Sequence, residues 1–139
     1  MDEIIVGVDE SKTARIAAQQ AAEIAKAMGK PLHLVMALKR STATSVSAGG
    51  ETVVIDDLTI AEDFLRSLKG ELAAGTGATH AVVTGDAAHA LVAEAERLEA
   101  HMIVVGNKRV QGVTRVLGSI PLDVAKAAPC NVYIVHTTG

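Results

Sequence analysis

Five short apolar runs recur along this chain, each separated from the next by a stretch of helical period. Few architectures accept that alternation. The runs are residues 4–8 (IIVGV), 32–38 (LHLVMAL), 79–84 (THAVVT), 102–106 (MIVVG) and 131–137 (NVYIVHT). The first, residues 4–8, is short and continuous enough to read as a buried strand, the habit of parallel sheets. Parallel neighbours need helical crossovers, and right-handed crossovers place every strand-to-helix turn on one rim. The expectation is an α/β fold: a three-layer α/β/α sandwich around a five-stranded, mostly parallel sheet, in one domain covering residues 1–139.

The intervening segments support this. Ser11 stands where an N-cap belongs, Ala17, Ala21, Ile24 and Met28 recur at spacings of three and four, and Gly29 closes the segment. Leu58, Ala61, Leu65, Leu68 and Leu72 mark a second helix, Leu91, Ala95 and Leu98 a third, and residues 119–128 (SIPLDVAKAA) a short fourth. Residues 39–55 (KRSTATSVSAGGETVVI) hold no sustained period, and a surface loop is expected there.

Composition narrows the partners. Hydrophobic residues make up 49% of the chain, yet it holds one Phe, one Tyr and no Trp, so Ala, Val, Leu and Ile must build the core. A formal net charge of −3, with no basic run, offers nothing to attract nucleic acid. The single cysteine, Cys130, precludes an internal disulfide, fits a reducing compartment and reads as a buried, inert thiol. The acidic opening, MDEIIVGVDE, enters a strand at once and does not resemble a signal peptide. No apolar run approaches the roughly 20 residues that span a bilayer. A cytoplasmic protein with no membrane partner is expected.

In sandwiches of this kind a ligand lies at the carboxyl ends of the strands, where the strand order reverses. That rim carries Asp9, Ala37, Gly85 with Asp86, and Gly106. The stretch IVVGNKRVQGVTRVLGSIP (103–121) is the most suggestive. Ser119 is a candidate N-cap followed by Pro121, and free amides at a helix start can hold a phosphate. Gly106 and Gly112 would admit a ligand close to the backbone, while Lys108, Arg109 and Arg115 place positive charge on the same loop. The plainer alternative is a helix start preceded by turn glycines and solvated charges. Neither a P-loop nor a G-x-G-x-x-G following a strand is present. Asp9 can accept hydrogen bonds from a ligand or cap the first helix, and Asp86 can do the same at the third.

His33, His80, His89, His101 and His136 are too scattered for a metal cluster. His33 and His80 fall inside strands and read as structural; His89 lies nearest the rim. No nucleophile elbow is present, so no catalytic residue and no enzymatic activity are expected.

The opening IIVGVDES and the closing VVGNKRVQGVTRVLGSIPLDVAKAAPCNVYIVH resemble the universal stress protein family, a likeness spanning nearly the whole chain. Its ATP-binding members carry G-x2-G-x9-G-[ST]; Gly106 matches the first glycine, and Gly118 with Ser119 the last pair. The resemblance implies a Rossmann-like fold, of the adenine nucleotide alpha hydrolase kind, with strand order 3-2-1-4-5. It also implies a nucleotide site formed by Val8, Asp9, Ala37, Gly106, Lys108, Arg109, Gly118, Ser119 and Ile120. ATP or another adenine nucleotide would be the ligand, accompanied by Mg, and the final strand, Asn131–Thr137, would form a homodimer. The sequence departs from the pattern where Arg109 replaces the second glycine and the following spacer is one residue short. Arg109 can clash with a triphosphate or pair with it. A regulatory domain that binds nucleotide and signals through a dimer is thus set against a ligand-free dimeric interaction scaffold of the same fold.

Overall fold

The computed structural model describes residues 2–9, 11–38, 43–48, 51–72, 77–108 and 117–137; for 43–48, 51–56 and 108 it describes the backbone alone. Its elements run β1 (Ile4–Gly7), α1 (Lys12–Met28), β2 (Leu32–Leu38), β3 (Ala43–Ala48), β4 (Glu51–Asp56), α2 (Asp57–Glu71), β5 (Thr79–Thr84), α3 (Ala87–Leu98), β6 (Met102–Lys108), α4 (Ser119–Ala127) and β7 (Asn131–Thr137). Five strands form one parallel sheet in the order β5-β2-β1-β6-β7. With the β3–β4 pair set aside, this is the 3-2-1-4-5 order implied by the resemblance.

The alternation of side chains along each strand divides the core. Ile4, Val6, Leu32, Leu34, Met36 and Val104 face α1 and α2, packing on a largely alanine surface of α1 and on Leu65 and Leu68 of α2. Ile5, Val35, Ile103 and Val105 face the other way, onto Leu91 and Ala95 of α3 and Val124 of α4. Alanine suits α1 because a helix without bulk on its inner face can lie close to the sheet. Ala17, Ala18, Ala21, Ala22 and Ala25 are all buried.

Local signals set the helix ends. The Ser11 hydroxyl accepts the Ala14 amide at 3.2 Å, and Gly29 closes α1 in the left-handed conformation at φ 65°. Asp86 caps α3, accepting the His89 amide at 3.1 Å.

Four expectations are corrected. Residues 39–55 are not simply a loop: β3 and β4 pair antiparallel, from Ala43 opposite Asp56 to Ala48 opposite Glu51. Gly49-Gly50 followed by a run of Thr, Val, Val and Ile was the available hairpin signal. Met28 and Leu58, assigned to apolar stripes, are exposed, because each sits at a helix end beyond the reach of the sheet. The fourth strand runs past Gly106 to Lys108, paired with β7 throughout. Ser119 is the first residue of α4 rather than its N-cap, which is Gly118. Among the described residues, no helix is long and apolar enough to cross a membrane.

Candidate functional site

β1 is the point where the sheet's order reverses: the chain leaves it toward β2 and β5, and later returns to its other side through β6. A crevice of about 340 Å3 opens there, within the range of small-molecule sites. Its floor is the carboxyl ends of β1, β2 and β6, including Val8, Ala37 and Gly106. Thr13 and Ala14 of α1 form one wall, Ala87 and Leu91 of α3 another, and residues Gly118 to Pro121 the third.

Of the nine residues expected to bind nucleotide, the structure brings seven to this crevice: Val8, Asp9, Ala37, Gly106, Gly118, Ser119 and Ile120. The side chain of Lys108, together with Arg109, Gly112 and Arg115, lies outside the described residues. Sequence reasoning missed Gly7, Thr13, Val35 and Leu91. Leu91 bore the periodicity of a core residue, which it also is. Gly7 has a different reason: a Cβ there would fall 2.7 Å from Leu91 Cδ1, so its absence lets α3 close over β1.

Asp9 does not cap α1; Ser11 holds that role. Its Oδ1 accepts the Ser11 amide at 2.8 Å, turning the chain out of β1 and fixing the carboxylate on the crevice edge. Opposite it, α4 opens with Gly118, whose backbone is extended at φ −66° and ψ 165° and which makes no side-chain cap. The Gly118 amide itself is taken by Asn107, whose Oδ1 accepts it at 2.8 Å. The amides of Ser119 and Ile120 belong to the first turn, where a helix has no acceptor of its own, and Pro121 has no amide hydrogen. Two amides with the helix dipole behind them thus face an otherwise largely apolar crevice. Asp9 is the single carboxylate among the described lining residues, and the described residues include no group of three His, Cys, Asp or Glu able to hold a metal. A Mg2+ ion entering with phosphates would keep water and phosphate oxygens as its main ligands, with Asp9 as the one carboxylate the described lining can add.

The other titratable residues lie elsewhere. His33 is buried, its Nε2 2.7 Å from Glu94 Oε2 and its Nδ1 2.7 Å from Thr79 Oγ1. Arg97 donates to both Glu94 oxygens, at 2.6 and 3.1 Å. These bonds, Arg97's foremost, hold the Glu94 carboxyl below its ordinary pKa despite burial. His80 meets Glu62 of α2 at 2.6 Å. Both histidines are structural, as expected from their place in strands. His89 is exposed and does not line the crevice. Cys130 is half-buried, and burial pushes its thiol pKa up, away from reactivity.

The fold has known counterparts. Residues 1–136 match the model of the universal stress protein family. A universal stress protein of Mycobacterium tuberculosis is 30% identical over 97% of this chain and 96% of its own length. A universal stress protein crystallised in complex with cAMP is 27% identical, with a TM-score of 0.68 over 97% of this chain and 96% of that one. One from Archaeoglobus fulgidus, in complex with dAMP, is 25% identical with a TM-score of 0.66 over 96% and 97%.

Proposed function

Because this chain belongs to the universal stress protein family, we propose that its rim crevice binds an adenine nucleotide and that binding is regulatory rather than catalytic. The observation that carries this reading is the crevice itself. Apolar walls suited to a base lie beside β1 and β2, and unused helix amides suited to a phosphate lie at α4. The base would lie by Val8, Asp9 and Ala37, and the phosphate over Gly106, Gly118, Ser119 and Ile120. Relatives of this fold held cAMP and dAMP in their crystals, which supports the ligand class. ATP, with its Mg2+, is the extended member of that class, and Lys108 and Arg109 would meet its further phosphates. No base, nucleophile and orienting group converge on the described lining, so slow incidental hydrolysis is the most ATP cleavage expected.

The nucleotide signal would be read through a homodimer. β7 is an edge of the sheet and exposes Tyr133, while the β3–β4 pair forms a sheet of its own rather than extending that edge. Open edges and two-fold pairing go together.

Calorimetry and thermal melts with AMP, cyclic AMP, ADP, ATP and adenosine test the reading. A ligand at 100 times its dissociation constant raises stability by about 2.7 kcal/mol. Absence of any shift with every adenylate would leave the ligand-free dimeric scaffold as the reading. Release of phosphate from labelled ATP well above background would make the protein an enzyme.

A further inference from the structure

We infer that Asn107 is the positioning residue for the phosphate end of the crevice, setting affinity for a phosphoryl group while leaving affinity for the nucleoside untouched. This rests on the adenine-nucleotide reading above. Asn107 follows Gly106 in β6 and is only 8% exposed. Its side chain reaches across to the residue that opens α4, eleven positions further on, and takes the Gly118 amide at 2.8 Å. Its own carbonyl is held in turn by the hydroxyl of Thr137, a wholly buried residue of β7, at 2.7 Å. One hydrogen bond thereby straps the start of α4 to the central sheet, and a second fixes the strand residue that supplies it.

Beyond its packing on α3 and the sheet, α4 has no side-chain cap to fix its start. It is nine residues long and buries only Pro121 and Val124. The glycine at 118 is explained by the strap and not by conformation. Its φ of −66° suits any residue, whereas a Cβ would fall 3.2 Å from Asn107 Oδ1. Occupying the Gly118 amide also limits what the turn can offer. Ser119 and Ile120 supply the remaining two amides, enough for the oxygens of one phosphoryl group, and their direction follows from where Asn107 holds the residue before them.

The test compares AMP with adenosine, which share base and sugar and differ in the phosphate. In Asn107→Ala, titration calorimetry should show AMP affinity falling about tenfold, in line with the loss of one well-placed hydrogen bond. Adenosine affinity should stay within about twofold of the wild type, which on the same scale is a small change. Asn107→Asp keeps the acceptor but adds charge, so its AMP deficit should shrink as salt is raised, whereas that of Asn107→Ala should persist. If Asn107→Ala does not fold, Thr137→Val removes the second bond of the strap and should lower the AMP-to-adenosine ratio in the same direction. An unchanged ratio in Asn107→Ala, or equal loss of both ligands, overturns the inference while the nucleotide reading stands. Failure of the wild-type protein to bind either ligand ends both, and is seen before any variant is made.

Discussion

A methyl group at position 118 would sit 3.2 Å from Asn107 Oδ1 and 3.6 Å from Pro121 Cδ. The backbone there is ordinary, so the substitution brings no torsional strain. Gly118→Val should therefore leave the chain folded but displace the Asn107 side chain, lowering the unliganded melting midpoint by a few degrees, the size expected for a change of ~1 kcal/mol. The larger effect should be on ligand: the rise in midpoint with saturating AMP should mostly vanish, and melts with and without AMP measure both quantities. The same reasoning separates Gly118 from Gly29, whose left-handed φ of 65° favours glycine although nothing crowds it. At Ser11, loss of the hydroxyl in Ser11→Ala should cost about 1 kcal/mol, read from urea unfolding, since the Ala14 amide loses its acceptor.

Two elements illustrate how a helix is matched to its sheet. α1 packs on the sheet mainly through alanine, and each of Ala17, Ala18, Ala21 and Ala25 is fully buried. Ala21→Leu would force α1 off the sheet, and a loss of about 1–3 kcal/mol is expected in denaturant unfolding. α3 differs in carrying a carboxylate, Glu94, into the buried layer, where it meets His33 and Arg97. Removing it in Glu94→Ala leaves the buried His33 Nε2 without its hydrogen-bond partner and should cost about 1–3 kcal/mol at neutral pH. Glu94 has a folded pKa below the ordinary carboxyl value of 4.5. Its contribution is therefore complete above that value and is lost as pH falls through the folded pKa. Urea midpoints measured from pH 7 down to pH 3 should drop more steeply below pH 4.5 in the wild type than in Glu94→Gln, which has no carboxyl to protonate at that position.

Across the whole molecule, the crevice and the open edge of β7 lie on neighbouring strands, joined by Asn107 and Thr137. β6 and β7 are paired along their full length, Met102 opposite Asn131 to Lys108 opposite Thr137. A second copy docking on β7 would thus rest on the strand that carries Thr137. If the proposed dimer forms there, Tyr133→Glu puts like charges on both sides of a two-fold contact, and sedimentation should show its dissociation constant raised at least about tenfold, a change of roughly 1.4 kcal/mol. Unchanged sedimentation would place the interface elsewhere.

Much of this was legible in the residues themselves. Apolar runs bounded by Gly, Pro and Ser carry their own evidence of strand, helix and cap, because those preferences act within a few residues; β2, β5 and β7 fall on the bounds read from the chain. The rim positions Asp9, Ala37 and Gly106 followed as well, since handedness alone puts every strand end on one side. The hairpin of β3 and β4 went unread because Ser, Thr and Ala outnumber the single Val of its first strand, which gives a weak pattern. Pairings distant in sequence were beyond reach. Nothing near Glu94 announces that it lies against His33, and nothing near Asn107 announces Gly118 and Thr137. Local chemistry chooses the elements; only their packing decides which buried polar groups must find one another, because the cost of leaving such a group unpaired arises only when the chain has closed around it.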